Sequence, residues 1–248
     1  MAKIIALCNY KGGCGKTSTA CNLGSALAIQ GKRVLLLDLD GQSNLTSSLI
    51  QKPEVSIYNS LIAGVELPIV NISERLDLVP SEMSVATAEM KLQKSTANGK
   101  EFLLKRLLNN IATKYDFILL DCAPGLGVIT IAALVAADEV YVPLVGEVLA
   151  MRGILMIEDA IDEVQAVNPG LSIGGIIFQR FNNRRVNKEV AEVVRSQYGE
   201  IVFNTVIREC IAIAEAPALH HSIFEHDKKS NGAADYIALA NEVITRYK

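Results

Sequence analysis

The chain has 248 residues, with 24 Lys and Arg against 27 Asp and Glu, so its formal net charge is -3. Hydrophobic residues make up 50% and charged residues 21%, which excludes a wholly disordered chain. The slightly acidic balance excludes a permanently basic coat for nucleic acid, and 5% aromatic residues without any Trp argue against ring stacking as the main binding device. Any contact with DNA therefore has to come from a local cationic patch.

Cysteine usage and hydropathy bear on the compartment. The five cysteines contain no CxxC pair, which predicts reduced thiols. No stretch has the length and apolar character of a signal peptide or a membrane span. We therefore expect a cytoplasmic protein without a membrane partner.

Apolar runs alternate with longer helical patterns along the whole chain. Strands are predicted at residues 3–9, 33–38, 76–80, 116–121, 139–143 and 173–178. Helices are predicted at residues 16–30, 81–93, 100–114, 129–137, 150–167, 187–198 and 232–247. Most of the strands are apolar at nearly every position, as expected for strands that are covered on both faces. The pattern predicts an α/β fold, a doubly wound and mostly parallel sheet with helices on both faces, formed as one domain over residues 1–248.

A glycine-rich loop follows the first predicted strand. Residues 10–18 read YKGGCGKTS and lead directly into the first predicted helix, which is the strand–loop–helix context of a P-loop. The glycines let backbone N–H groups converge on phosphate oxygens, and the helix N-terminus adds partial positive charge. In such a loop Lys16 contacts the β- and γ-phosphates and the Thr17 hydroxyl is a ligand of Mg²⁺. The position of the usual first glycine holds Tyr10, and a second lysine, Lys11, follows it.

Two further apolar strands end in acidic residues. Residues 34–37 lead to Asp38 and Asp40, and residues 117–120 lead to Asp121. In doubly wound folds, phosphates and Mg²⁺ bind at the carboxyl ends of the parallel strands. For Asp38 and Asp40 a second interpretation is that they only cap the following helix.

The P-loop resembles the deviant Walker A motif of the ParA/MinD family of ATPases. Residues 38–46, DLDGQSNLT, resemble the family segment DxDPQxNxT, with Gly41 in place of proline. Residues 117–125, FILLDCAPG, resemble the family's Walker B segment, with Ala123 and Gly125 as departures. The resemblance implies a P-loop ATPase that uses ATP and Mg²⁺ and has low basal turnover that a partner stimulates.

The resemblance also implies roles for individual residues. The catalytic residues it implies are Lys11, Lys16 and Asp40, with Asp40 positioning the attacking water and Lys11 reaching the phosphates of a partner subunit. The ATP-binding residues are Lys11, Gly12, Gly13, Cys14, Gly15, Lys16, Thr17 and Ser18. The metal-binding residues are Thr17, Asp38 and Asp121, the two carboxylates acting through water. Residues 125–127 correspond to a switch loop that senses the γ-phosphate.

Within the family the pattern is closest to the small partition ATPases of the ParA or Soj type. This resemblance implies an ATP-dependent homodimer, nonspecific DNA binding, association with the nucleoid and a ParB-like centromere-binding partner, in DNA segregation of a plasmid or chromosome. The first strand starts at Lys3, so we expect no N-terminal helix-turn-helix domain. The candidate DNA-binding residues are Arg184, Arg185, Lys188 and Arg208, and Arg195 shares a helical face with Lys188. Ala212 stands where related partition proteins carry a DNA-contacting arginine.

Three alternatives remain open at the level of sequence. A ParA-like positioning ATPase could carry a non-DNA cargo by the same mechanism. A MinD-like membrane switch would end in a basic amphipathic helix, whereas residues 233–247 have the pattern of a helix that packs on a core. An iron–sulfur reductase of this family would need two cysteines beyond the Walker B strand, and only Cys122 and Cys210 are candidates.

Overall fold

The computed structural model describes residues 1–96, 98–147 and 150–247. Its sheet has seven strands: β1 Lys3–Leu7, β2 Val34–Asp38, β3 Val70–Ser73, β4 Leu76–Val79, β5 Phe117–Asp121, β6 Glu139–Val145 and β7 Ile173–Gln179. The strand order is β3-β4-β2-β5-β1-β6-β7, and every neighbouring pair is parallel except β3 and β4. The predicted fold class, a doubly wound and mostly parallel sheet, is confirmed.

Eleven α-helices are found among the described residues. They are α1 Lys16–Ile29, α2 Asn44–Leu49, α3 Tyr58–Ala63, α4 Ser84–Lys94, α5 Leu103–Asn109, α6 Val128–Ala136, α7 Ala150–Val164, α8 Arg185–Tyr198, α9 Ile211–Glu215, α10 Ile223–His226 and α11 Asn231–Arg246. The longer ones begin and end within a few residues of the predicted bounds. The short helices α2, α3, α9 and α10 were not predicted, because helices of four to six residues carry too few turns to show a periodic pattern.

Both faces of the sheet are buried, which explains the continuously apolar strands. Leu35 and Leu37 of β2 face one core with helices α5, α6 and α7, whereas Leu36 between them faces a second core with α1 and α11. Because both sets of side chains are fully buried, the central strands are apolar on both faces up to the acidic residues at their carboxyl ends.

Two segments depart from the predicted elements. The helix predicted at residues 100–114 is divided into a 3₁₀ turn, helix α5 and a second 3₁₀ turn, since Asn109 and Asn110 are weak helix formers where α5 ends. Strand β3 was not predicted because it is a short edge strand whose residues alternate between exposed and half-buried.

The topology brings the carboxyl ends of the central strands together. Leu7 at the end of β1 pairs with Asp121 at the end of β5, and Asp38 at the end of β2 also pairs with Asp121. The P-loop after β1 and the two acidic strand ends therefore meet at one edge of the sheet.

Candidate nucleotide site

The P-loop has the backbone that phosphate binding requires. Gly13 and Gly15 have φ values of 72° and 95°, in the left-handed region that favours glycine. Gly15 is the N-cap of α1 and offers no side chain to the first N–H groups of that helix. A Cβ on Gly15 would also lie 2.9 Å from Cγ of Gln179. The loop is thus shaped by its glycines, and the N-terminus of α1 presents N–H groups that a phosphate can accept from.

The two loop lysines occupy different places. Lys16 is buried, and its Nζ donates to the backbone oxygens of Asn9 and Lys11 at 3.4 Å each, inside the loop. The side chain of Lys11 is 62% exposed and forms an ion pair with Glu147. The hydrogen bond from Lys11 lowers the pKa of Glu147. Lys16 therefore points into the site of its own chain, while Lys11 is held at the surface beside it.

Asp38 is buried and fully hydrogen-bonded. Its Oδ2 accepts from the backbone N–H and the hydroxyl of Thr46, at 2.8 and 2.7 Å, and its Oδ1 accepts from the N–H of Asp40 at 3.1 Å. Burial raises the pKa of Asp38 to about 6, although the bonds from Thr46 oppose the rise. These contacts anchor helix α2 to the end of β2, so the helix-capping interpretation describes the geometry of Asp38 in this state.

Asp40 lies at the mouth of the site. Its Oδ1 accepts from the N–H of Gln42 at 2.9 Å, and its backbone oxygen accepts from the hydroxyl of Ser81 at 2.7 Å. Asp40 lines the same cavity as Lys16 and Thr17. A carboxylate in this place can orient a water molecule at the end of a bound triphosphate.

Among the described residues, Asp121 is a buried carboxyl whose two oxygens have no hydrogen-bond partner of normal geometry. Both of its carboxylate oxygens are buried and accept no hydrogen bond among the described residues. Burial and the neighbouring Asp38 raise its pKa well above the usual value, while the Thr17 hydroxyl and Lys16 oppose the rise. A buried carboxylate of this kind is costly unless a cation or its hydration shell compensates it.

A cavity of about 610 Å³ lies at this edge of the sheet, lined by Lys16, Thr17 and Asp40 among others. The volume is in the range of small-molecule sites. Its lining combines the P-loop and the acidic turn with the segment before and within α9: Gly13, Gly15, Lys16, Thr17, Ser18, Asp40, Pro124, Gln179, Arg180, Arg208 and Cys210 among others. The cavity thus has a cationic, N–H-rich end at the P-loop and a more apolar end near Ile211 and Pro217, as a nucleoside triphosphate needs.

The donor set fits Mg²⁺ bound together with phosphates. The described residues contain no group of three His, Cys, Asp or Glu side chains that could hold a metal by itself. Mg²⁺ usually keeps several waters and takes one or two protein ligands plus substrate phosphates. Thr17 and the unpartnered Asp121 are suited to hold the ion directly and through water, respectively, and Asp38 lies next to Asp121 in the sheet register.

Two residues near the site were missed by sequence analysis, Gln179 and Arg180. Gln179 at the end of β7 is buried, donates to the Thr19 hydroxyl at 3.0 Å and accepts from the Tyr236 hydroxyl at 3.3 Å, so it fixes α1 against α11. Arg180 has a left-handed φ of 49° and lies 3.9 Å from the carboxylate of Glu147. No local motif contains them, and only the position of β7 beside β6 brings them to the P-loop edge.

The predicted DNA-binding residues lie at two places. Arg184 is the N-cap of α8, and Arg185 and Lys188 are exposed in its first turn, where Arg185 pairs with Glu189 at 2.6 Å. Arg208 lies beside Phe181 in the strand-like bridge that follows β7 and holds Asp235 through a bidentate ion pair at 2.7 Å. Arg208 therefore has a structural partner, whereas Arg184 and Lys188 extend from an exposed helix start.

The surroundings of Arg195 and of helix α11 bear on the DNA-binding and membrane-switch interpretations. Arg195 lies on α8 seven residues after Lys188, and its side chain lies over the ring of Phe178 and donates to the backbone oxygen of Phe203 at 3.0 Å. Helix α11 buries Tyr236, Leu239 and Val243 and packs against α1, as its sequence pattern predicts for a core helix. Across residues 1–96, 98–147 and 150–247, none of the helices has the length and apolar character needed to cross a membrane.

Comparison with known proteins gives the family. The family described as "AAA domain" matches residues 2–173. The sporulation initiation inhibitor protein Soj of Bacillus subtilis is 38% identical over 251 residues, which cover 98% of this chain and 98% of that protein. The chromosome-partitioning ATPase Soj of Treponema pallidum is 36% identical over 251 residues, which cover 99% of this chain and 98% of that protein.

Among solved structures, cobyrinic acid a,c-diamide synthase of Mycobacterium smegmatis, with bound ADP and magnesium, is 33% identical, with a TM-score of 0.85 over 100% of this chain and 96% of that one. This similarity spans the whole chain, including the residues that form the P-loop, the Walker B strand and the nucleotide cavity described above. The chain belongs to the ParA/MinD-type P-loop ATPases, and it hydrolyses ATP with Mg²⁺ as its cofactor.

Proposed function

We propose that this ATPase is a DNA-partition switch. In the ATP state it forms a homodimer and binds DNA nonspecifically, so that it associates with the nucleoid in the cytoplasm. Together with a ParB-like centromere-binding adaptor it moves a plasmid or chromosome along the nucleoid. The observation that carries the proposal is the position of Lys11. The names of the Soj relatives support the same assignment.

The surroundings of Lys11 support a role at the nucleotide of another subunit rather than at its own. Lys16 lines the nucleotide cavity, whereas Lys11 lines a neighbouring cavity of about 620 Å³ together with Tyr10, Arg152 and Glu147. Its side chain is largely exposed, and among the described residues its ammonium is held by a surface ion pair; such pairs contribute about 0–1 kcal/mol. A lysine that is charged, exposed and easily released can enter the phosphate site of a second copy that faces it.

The site geometry supports the following proposal for the hydrolysis step. Asp40 orients a water oxygen that attacks the γ-phosphorus, and the bond from that phosphorus to the β–γ bridging oxygen breaks, so ADP leaves with the bonding electrons and the water proton passes to phosphate or solvent. Lys16 and the partner subunit's Lys11 stabilise the negative charge that develops at the bridging oxygen. Bound Mg²⁺ supplies further neutralisation of the phosphate charge.

The exposed start of α8 is the proposed DNA surface. Arg184, Arg185 and Lys188 give three cations per subunit within a chain whose net charge is -3. A dimer would join two such groups, and six phosphate contacts correspond to a slope of log affinity against log salt of about -5, which is a loss of about 10³ in affinity between ~50 and ~200 mM salt. A near-neutral monomer with half the contacts binds DNA weakly, so binding depends on the nucleotide.

The test is DNA binding as a function of nucleotide and salt. We expect a duplex of arbitrary sequence to bind with a slowly hydrolysed ATP analogue, and not with ADP or without nucleotide, and to dissociate steeply with salt. Reversing the charge of Arg184 and Arg185 to Glu should abolish this binding. The matched control reverses Lys228 and Lys229, an exposed pair on another loop, and should retain it.

The outcomes separate the alternatives. Binding that is equal in all nucleotide states, or absent in all of them, would refute a DNA-partition switch. ATP-dependent binding that persists in the arginine variant would move the DNA surface elsewhere, with the cationic loop at Lys228 as the next candidate. ATP-dependent DNA binding together with turnover that no centromere-binding adaptor stimulates would instead favour a positioning ATPase for a non-DNA cargo.

A further inference from the structure

Helix α4 lies against the turn that carries Asp40. The backbone of Gly41 approaches Ala86 of α4 so closely that a Cβ on Gly41 would lie 2.8 Å from the Ala86 nitrogen and 2.9 Å from its Cβ. Just before α4, the Ser81 hydroxyl donates to the backbone oxygen of Asp40, and the Ser81 N–H donates to the Thr46 hydroxyl at 2.8 Å. The start of α4 and the Asp40 turn therefore form one packed unit.

The same helix also caps α6, which follows the loop after Asp121. The N-cap of α6 is Gly127, which has no side chain for the first N–H groups of the helix. Glu89 of α4 supplies both acceptors: one carboxylate oxygen accepts from the N–H of Val128, and the other accepts from the N–H of Ile129 at 3.0 Å. A carboxylate is well suited to this position because it satisfies two orphan donors and the partial positive charge of the helix end.

Ala86 and Glu89 are one helical turn apart, so they lie on the same side of α4. The Asp40 turn contacts this side at Ala86, and the end of the loop after Asp121 contacts it at Glu89. Asp40 lines the nucleotide cavity, and so does Pro124 in that loop. Neither segment can shift relative to the cavity without straining its contact with α4.

We propose that α4 couples the Asp40 turn to the loop at residues 122–127, and that Glu89 is a positioning residue for hydrolysis. The carboxylate holds the start of α6, α4 transmits that position to Gly41, and the turn then places Asp40 at the end of the triphosphate. Loss of the Glu89 contacts lets the two segments move independently. The proposal rests on the role proposed for Asp40, and it does not depend on DNA binding or on partition.

The test uses Glu89→Gln in the full chain without DNA or adaptor. An amide keeps the shape of the side chain but accepts through one oxygen only, so one of the two N–H groups of α6 loses its acceptor. We expect kcat for ATP hydrolysis to fall roughly tenfold, while KM and the affinity for the ATP analogue change less than about twofold. The matched control is Glu242→Gln: Glu242 of α11 likewise accepts from two backbone N–H groups, those of Asn204 and Thr205, and does not line the nucleotide cavity, so its variant should keep the wild-type kcat.

A double-mutant cycle tests the coupling itself. Gly41→Ala perturbs the second contact of α4, the one between Gly41 and Ala86. If Gly41→Ala does not fold, Ala86→Gly is used to perturb the same contact. If α4 couples the segments, the double variant with Glu89→Gln loses little more than the worse single variant; if the two losses multiply, the segments are independent and the coupling is refuted. A wild-type kcat in Glu89→Gln, or a fall in kcat matched by an equal loss of ATP affinity, would overturn the positioning role.

The proposed role of Asp40 is checked separately in the same assay. If Asp40→Ala keeps normal turnover, the role proposed for Asp40 is refuted. The effect of Glu89→Gln on kcat is measured independently, in a chain that retains Asp40. The two failures are therefore distinguishable.

Discussion

The buried carboxyl of Asp121 leads to a prediction about how the folding stability of the protein depends on pH. Both of its oxygens are buried without a hydrogen bond, and burial raises its pKa well above the usual 3.8. An unfolded chain releases this proton above that pH, while the folded protein keeps it or bears a buried charge. The stability of the nucleotide-free protein therefore falls as pH rises above about 3.8, until the folded group ionises. Asp121→Asn removes the titration and should stabilise the protein in the absence of Mg²⁺ and ATP.

The magnitude follows from linkage. Each pH unit over which the unfolded chain has released the proton and the folded protein still keeps it costs about 1.4 kcal/mol of stability. The unpaired amide of asparagine offsets about 1 kcal/mol of the gain. Each kcal/mol of net gain corresponds to a rise in Tm of about 2–4 °C for a chain of this size.

The assay is unfolding by denaturant and by heat in a chelating buffer between pH ~5 and ~8. The gain should be largest at the upper end and fall below about 1 kcal/mol near pH ~5, because the proton cost there is small. Asp162→Asn, an exposed residue of α7, is the control and should change stability by less than about 0.5 kcal/mol at every pH. A gain that is absent, or that does not change with pH, would refute the reasoning. Addition of Mg²⁺ and ATP should stabilise the wild type and leave Asp121→Asn largely unchanged.

Three further predictions concern the nucleotide site and its neighbours. Asp40→Ala should bind the ATP analogue normally but lower turnover at least ~100-fold, since it removes only the group that orients water; single-turnover hydrolysis and analogue binding measure the two effects, and unchanged turnover would contradict this role. Lys11→Ala should keep nucleotide binding by the monomer but lose ATP-dependent dimerisation in sedimentation and most of the turnover; a variant that dimerises and hydrolyses normally would exclude the role in trans. Arg208→Ala should lower the free energy of unfolding by about 1–3 kcal/mol, because it leaves the mostly buried carboxylate of Asp235 without its bidentate partner. Chemical denaturation measures this change. Loss of DNA binding without loss of stability would contradict the structural role and make Arg208 a DNA contact.

The sequence predicted those parts of the site that are formed by residues adjacent in the chain. The P-loop, with its lysine at position 16 and threonine at 17, is a continuous segment, so its glycine spacing alone predicts strand, loop and helix. Asp121 could be placed at the same edge because parallel strands all present their carboxyl ends there. Asp38 was expected at the same edge for the same reason, but its partner Thr46 was not predicted, because Thr46 lies in a helix that is too short to show a periodic pattern.

Contacts between distant segments were beyond prediction for a physical reason. Lys11 and Glu147 are 136 residues apart, and Glu89 and Ile129 are 40 apart; nothing in either local pattern marks one as the partner of the other. A charged residue on a loop or an exposed helix face has no periodicity that distinguishes a partner from a solvated side chain. The strand order decides these pairs, because it sets which loops lie side by side.

The sequence by itself determined that the chain forms a parallel sheet between helix layers and binds phosphate after its first strand. Continuous apolar strands and a local glycine loop carry that information, since they depend on backbone conformation and burial over a few residues. Only the tertiary structure decided how the site is held: which carboxylate is left unpaired, which one is tied to a helix, and which helix joins the Asp40 turn to the loop after Asp121. Those outcomes depend on distances between segments that only the packed sheet brings together.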